Sequence, residues 1–359
     1  LGHPRLPDGP RGRTLTLACR TLPSPINTES RPTMARALVI GGTSLIGRPL
    51  VRTLLEGGHA VTIMHRSPGT PVGDRVREVH ADRNDPEAVA SAVEGHAFDW
   101  VFDNVYAWAR GTTGEQVAGT VTAVAPGLER YVYMSSVAVY PEGGPWDESA
   151  EMVPGTDPNM YAAQKADGER AVFAYAAQTG LAVSTVRPAF VYGPYNPFDR
   201  EAFFWDRLLA GRPILIPGDG SRMMQWAHTD DIARASVAAA SMDAGVGEAF
   251  NLAGPPVTQR QFVEILAEVA GVEPDLVPVP RETLVAAGGQ LLEPPLYFGA
   301  YLDVPPLTVT GDKLRDRLGV ELLSLREGMA QTFPWYRDQG RPAPDTSWED
   351  GILRSVRGG

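Results

Sequence analysis

The sequence predicts a doubly wound α/β fold, a parallel sheet with helices on both faces, and three observations carry that prediction. First, the apolar run Leu38-Val39-Ile40 enters the glycine-rich turn Gly41-Gly42-Thr43-Ser44-Leu45-Ile46-Gly47, which opens into an amphipathic segment. Second, Ala60 to Met64 follows that segment after a Gly57-Gly58 stop, closing a βαβ unit of about 30 residues. Third, apolar runs alternate with helical periodicity as far as residue 186. A strand aimed into small residues and then a helix N-terminus suits a nucleotide pyrophosphate, because the helix offers unpaired N–H groups at the positive end of its dipole.

Taken in order, Arg75 to His80 reads as a short third strand followed by Ala81-Asp82. Asp85-Pro86 reads as a helix start, N-cap then N1, for a helix reaching about Val93 and stopping at Gly95. Trp100 to Asp103 is a buried fourth strand, Gln116 to Ala125 a helix, and Tyr131 to Met134 a fifth strand. Tyr161 to Ala177 is a long helix ended by Gly180, and Ala182 to Val186 a sixth strand. Beyond Arg187 prolines and aromatics break the rhythm. Thr229-Asp230 is expected to cap a helix to about Met242, and Phe250-Asn251-Leu252 to rejoin the sheet. Thr258-Gln259-Arg260-Gln261 has the capping-box pattern for a helix to Ala270. The expected division is a dinucleotide-binding part, 34–186 plus about 229–252, and a smaller, discontinuous substrate region, 187–228 plus 253–340. The tail 341–359 is expected on the surface.

Composition bounds the rest. The chain has 359 residues, 21% of them charged and 43% hydrophobic, which is globular composition. Residues 1–33 are rich in Pro and Arg and hold five arginines against two acids, so a net charge of −11 leaves −14 to the remainder. They are expected to be a disordered extension, with Met34 the native start. The acidity argues against a duplex nucleic-acid partner. The single cysteine, Cys19, excludes an intramolecular disulfide and a Cys-cluster metal site and suits a reducing, cytoplasmic compartment. No metal is expected, and no apolar run approaches the ~18 residues of a membrane span.

Tyr161 and Lys165 stand at i and i+4, on one helix face. Alone, such a pair is an ordinary helix surface feature. A phenol with a reference pKa near ~10 is a poor base at neutral pH, and a fixed neighbouring cation favours its phenolate. Met134-Ser135-Ser136 ends the fifth strand, where a doubly wound sheet presents its ligand crevice, so a serine there could hold a reacting oxygen near the tyrosine.

With these parts in this order, the chain resembles the extended short-chain dehydrogenase/reductase superfamily and its NAD-dependent epimerase/dehydratase family over roughly 36–340. The resemblance rests on Gly41 to Gly47, Ser135 to Tyr140, Tyr161 to Lys165, and Arg187-Pro188-Ala189-Phe190-Val191-Tyr192-Gly193-Pro194. It implies a Rossmann fold with Tyr161 as acid/base and Ser136 orienting the substrate oxygen. It also implies that Lys165 lowers the tyrosine pKa and holds the nicotinamide ribose. For the cofactor it implies Gly41, Thr43, Ser44, Leu45, Ile46 and Gly47 at the phosphates, Asp82 on the adenine side and Pro188 at the nicotinamide end.

Three departures refine the expectation. Ser44 stands where the family usually has the middle glycine of the turn. The second strand ends His65-Arg66-Ser67, without the acid of NAD-preferring members, so Arg66 favours NADP over NAD. Met224 stands where nucleotide-sugar enzymes carry a diphosphate-binding arginine, and Gly218 to His228 is more similar to the chloroplast stem-loop-binding branch and its bacterial relatives. Arg222 could still reach a phosphate. His228 reads either as a pocket group or a buried, hydrogen-bonded strand residue, and Trp226 and Tyr192 as packing or pocket wall. The expectation is hydride transfer at a hydroxyl- or ketone-bearing carbon of a sugar-like or other small substrate. The alternatives are an NADPH-dependent ketone or aldehyde reductase, and a non-catalytic dinucleotide- or RNA-binding protein. A homodimer is one expected assembly.

Overall fold

Apolar side chains that alternate along a buried strand must find cover on both faces of the sheet, and the strands of this chain do so. The structure, a computed structural model, describes residues 34–66, 73–290 and 301–357. The expected disorder of 1–33, and Ser67, lie outside the described residues. Strand β1 (Arg36–Ile40) leads into α1 (Gly47–Glu56), then β2 (Ala60–His65), β3 (Arg77–His80), α2 (Pro86–Val93), β4 (Trp100–Asp103), α3 (Gly114–Val124) and β5 (Arg130–Met134). After β6 (Gly143–Trp146) come α4 (Met160–Thr179) and β7 (Ala182–Pro188).

Seven strands form one parallel sheet, and its other edge is closed by a strand from much later in the chain, β12. The chain first passes through β8 (Phe190–Tyr192), α5 (Glu201–Leu209), β9 (Ile214–Pro217), β10 (Met223–Met224), β11 (Trp226–His228) and α6 (Thr229–Ser241), then β12 (Glu248–Leu252). The sheet order is β3-β2-β1-β4-β5-β7-β12, so Phe250 to Leu252 does rejoin the sheet, beside β7. Strand order reverses between β1 and β4, and ligand crevices of such sheets open there, at the carboxyl ends of the strands. Ala37 and Val39 pack with α1 and α6 on one face, while Leu38 and Ile40 pack with α2, α3 and α4 on the other.

The remaining elements are β13 (Val257–Thr258), α7 (Gln259–Ala270), β14 (Leu276–Val279), α8 (Arg281–Ala286), β15 (Leu307–Val309), α9 (Asp312–Leu318), α10 (Leu325–Arg337) and α11 (Ser347–Arg357). Around α5, α7, β9 and β14 a separate apolar cluster forms, with Trp205, Phe204 and Phe262 fully buried. Trp226 stacks on Phe262 at 4.3 Å, and Tyr192 is 1% exposed in the same cluster, so both serve packing.

Several boundaries move for local reasons. Residues 73–75 form a 3₁₀ turn, so the third strand begins at Arg77. The helix expected at 116 begins at Gly114, because Thr113 and Gln116 form a reciprocal capping box. Helix α6 is capped by His228, whose Nδ1 accepts the Asp230 N–H at 3.2 Å, and Thr229 is its first helical residue. The tail departs most from expectation. Helix α11 buries Glu349, Ile352 and Leu353, and Glu349 accepts a 2.6 Å hydrogen bond from Arg207.

Candidate active site

The glycine turn after β1 is shaped by contact as much as by conformation. Gly41 has φ +84°, and a Cβ on Gly47 would collide with the Gly41 carbonyl oxygen and the Gly42 backbone. Ser44 is exposed, has no positive φ, and its carbonyl accepts the Arg48 N–H at 2.9 Å. The backbone therefore does not demand glycine there, and the hydroxyl stands at the open side of the turn. Among the described residues no side chain caps α1 at Ile46 and no acid lies in its first turn; Pro49 has no N–H and the Arg48 N–H is given to Ser44, which leaves the Gly47 N–H of that turn to an anion. Thr43, Leu45 and Ile46 complete the turn, with Leu45 buried.

Tyr161 and Lys165 sit on the first turns of α4, started by Asn159, whose side chain accepts the Ala162 N–H at 3.3 Å. A buried ion pair fixes this helix on the sheet. Arg187 of β7 donates through Nε to both Glu169 oxygens, at 3.1 and 3.0 Å, and also reaches the Tyr140 hydroxyl. Tyr140 in turn donates to Asn251 Oδ1 at 2.9 Å, linking α4, β7 and β12. Ser136, just past β5, accepts the Ala138 N–H at 3.1 Å and stands near enough to the Tyr161 phenol to draw its pKa down, while the neighbouring Ser135 hydroxyl is buried without a partner among the described residues.

Lys165 is 3% exposed and donates from Nζ to the Met134 carbonyl at 2.6 Å, near the faces of Tyr133 and Tyr106. Burial pushes its ammonium down to about 8, partly opposed by the charges of Asp103 and Glu169. Burial raises the Tyr161 phenol, and the groups that pull it back down are Ser136 and the Arg200 guanidinium. Lys165 itself points to the end of β5.

Two residues absent from every motif cover the tyrosine. Trp108 stacks on the Tyr161 ring at 4.9 Å and 17°, and Tyr106 meets it edge-on at 4.9 Å. The loop that carries them is pinned through Gln164, whose Oε1 accepts Tyr106 OH and Thr112 N, each at 2.9 Å. Asn84 donates to Gly111 O at 2.7 Å from the other side. The aromatic-rich segment Tyr106-Ala107-Trp108 directly after β4 was the only sequence signal available for them.

On the adenine side, Asp82 accepts the Asn84 N–H at 2.9 Å and pairs with Arg110. Burial raises its carboxyl, but the Asn84 N–H and the charges of Arg110 and Arg66 outweigh that and hold it below its usual range. Exposed Arg66 lies near enough to act on the half-buried Asp82 carboxyl, whose contact partner is Arg110. Pro188 is buried at the end of β7 beside Leu252. Elsewhere, Arg222 is tied to Asp303 at 3.0 Å and to the Asp303 and Val304 carbonyls. Burial holds His228 neutral, pushed down to about 4, as befits a helix cap. Among the described residues, His65, Glu78 and His80 lie within 4.8 Å of one another, with His65 Nε2 2.8 Å from Glu78 Oε2.

The fold defines the class, a Rossmann-type sheet with a glycine turn after β1 and Ser136, Tyr161 and Lys165 gathered past the end of β5. The sequence model of the NAD dependent epimerase/dehydratase family matches residues 37–253, and the chain belongs to that family. Chloroplast stem-loop binding protein of 41 kDa b from Arabidopsis thaliana is 30% identical over 67% of this chain and 65% of its own length. A 3-diazoavenalumate denitrifying reductase from Streptomyces sp. is 30% identical over 84% of this chain and 98% of its own. The chain spans less than two thirds of the length of the first curated relatives it matches, a dTDP-glucose 4,6-dehydratase among them. Among solved structures, the UDP-glucose 4-epimerase of Thermotoga maritima, with UDP-glucose, superposes with a TM-score of 0.70. It is 25% identical, and the match covers 85% of this chain and 100% of that one. The relatives and structural neighbours carry the names of NAD-dependent epimerases, dehydratases and reductases. Among the described residues no helix is long and apolar enough to cross a membrane.

Proposed function

We propose that this protein is an NADP-dependent enzyme that moves hydride at a hydroxyl- or ketone-bearing carbon of a small, sugar-like or other polar substrate, with Tyr161 as its acid/base. The observation that carries this reading is Ser136, just past β5, close to the Tyr161 phenol, with Lys165 one turn along the same helix.

For the dinucleotide, the crowded glycines and the Gly47 N–H would take the pyrophosphate, Arg66 would pair with a 2′-phosphate, and Lys165 would hold the ribose. When bound, the nicotinamide supplies or accepts the hydride. Ser136 orients the substrate oxygen, and Tyr161 gives or takes its proton at the phenol oxygen. A reductase is the second reading within the class, since a phenol of this kind gives its proton to a carbonyl oxygen. A non-catalytic RNA binder fits poorly with a net charge of −11. A reducing, cytoplasmic setting suits a chain with one cysteine.

The test begins with the purified protein, its near-ultraviolet absorbance and extraction of any bound dinucleotide, followed by turnover on ketones and sugar nucleotides. NADP binding at least about tenfold tighter than NAD, with turnover, is expected from a charge-assisted arginine–phosphate contact. Tightly retained dinucleotide assigns the redox-neutral epimerase or dehydratase branch, and exchange at each turnover assigns the reductase. RNA binding that persists in moderate salt, with no turnover on any substrate, contradicts the reading.

A further inference from the structure

The loop from Gly193 to Arg200 carries three side chains that face the site from the side opposite α4. Tyr195 lies over the Arg48 guanidinium at 4.0 Å, and Phe198 meets Trp108 edge-on at 5.6 Å. Arg200 follows, with its guanidinium 5.2 Å from the Phe198 ring. Trp108 and Phe198 are 58% and 38% exposed, and Trp108 lies on Tyr161. An apolar strip of two rings therefore runs from the tyrosine to a cation.

Most described arginines beyond β7 pair with a carboxylate, among them Arg207, Arg212, Arg222, Arg281 and Arg341; Arg260 and Arg354, like Arg200, do not. Arg200 has no carboxylate within ion-pair distance among the described residues, and Nη1 donates to the Val191 carbonyl at 2.9 Å. The adjacent Glu201 turns away, accepting from Asn196 Nδ2 at 3.0 Å and Gly193 N at 3.5 Å. None of the remaining Arg200 nitrogens is both buried and unpartnered among the described residues, so its spare donors remain accessible. Burial lowers the Arg200 pKa, and the charges of Glu201 and Tyr161 oppose that in part.

We propose that Arg200 is the acid-recognising end of the substrate pocket, so that the substrate is a flat oxo or hydroxy acid whose carboxylate pairs with Arg200, whose body lies along Trp108 and Phe198, and whose reacting oxygen meets Ser136 and Tyr161. The assignment of the reacting end rests on the function proposed above. A guanidinium binds a carboxylate or a diphosphate by the same forked hydrogen bonds. The carboxylate is favoured because the other arginine expected to reach a phosphate, Arg222, is taken up with Arg281 by Asp303. A diphosphate would lose the arginine expected for it there, and Arg48, the other cation at this loop, is held by Tyr195 and the Thr43 carbonyl.

Binding of 3-oxo-3-phenylpropanoate and of its methyl ester is measured by calorimetry on protein saturated with oxidised dinucleotide, so that no reduction occurs. The acid is expected to bind about tenfold to a hundredfold more tightly than the ester. Arg200→Gln is expected to remove that preference while leaving the ester and dinucleotide affinities unchanged, and Arg200→Lys to keep part of it. The acid–ester comparison in the unaltered protein needs no variant to fold. Equal binding of acid and ester, binding of neither, or an unchanged preference in Arg200→Gln overturns the proposal. So does Arg200-dependent binding of UDP-glucose in place of the acid, which assigns the cation to a diphosphate. Tyr161→Phe is expected to keep the acid preference. A failure of the catalytic reading therefore appears as turnover in that variant, and a failure of this proposal as a change in binding alone.

Discussion

Lys165 holds a charge where the fold would be more stable without one. Its ammonium is buried with one carbonyl acceptor, and its pKa of about 8 lies below the ~10.4 of an exposed lysine. The unfolded chain therefore binds more protons than the folded one between those values, so this group's penalty is full below pH 8 and fades as pH rises to about 10.4. Lys165→Met is expected to remove that slope from the unfolding free energy measured against pH, a difference on the order of 2–3 kcal/mol across the window. A stability profile unchanged by the substitution would mean that the ammonium is not desolvated. Arg66 permits a second residue-scale prediction. Arg66→Ala should weaken NADP by about tenfold or more and NAD by less than threefold, measured by titration of each dinucleotide. Ser136, Tyr161 and Lys165 could be singled out from the sequence, because Tyr161 and Lys165 share one helix face and Ser136 directly follows a strand. Trp108 and Arg200 could not, because they stand on irregular loops, the first aimed by Gln164 from α4.

At the scale of elements, the glycine turn makes the tightest demand. A methyl at Gly47 meets backbone on the Gly41–Gly42 side that cannot rotate away. Gly47→Ala should therefore shift the start of α1, lower dinucleotide affinity by at least about tenfold, and lower the melting temperature of the free protein as well. Helices with explicit end signals were legible. The Thr258 capping box starts α7, and Asp85-Pro86 starts α2, as the residue types require. Helix α11 was not legible, because it follows a proline-rich stretch and its buried face joins Ile352 and Leu353 to an acid, Glu349. An acid inside an apolar face reads as surface until its partner is known. That partner, Arg207, stands 142 residues earlier.

At the scale of the whole molecule, that ion pair ties the C-terminus to the apolar cluster around α5. Both partners are buried, so Glu349→Ala leaves a desolvated guanidinium and is expected to cost about 3–5 kcal/mol. The neighbouring Arg212–Asp350 pair is more than one-third exposed, and Asp350→Ala should cost less than about 1 kcal/mol. Equal costs in denaturant unfolding would contradict this account of the tail. The parallel sheet brings the turn after β1, the serine after β5 and the loop after β4 to one edge, where α4 presents Tyr161. The central claim is that the phenol at this edge moves the proton of a hydride transfer. Its most direct test is turnover by Tyr161→Phe, with dinucleotide affinity measured on the same sample. A loss of about a hundredfold or more in kcat with dinucleotide binding intact is the expected result. Undiminished turnover with the dinucleotide bound would remove Tyr161 from the reaction.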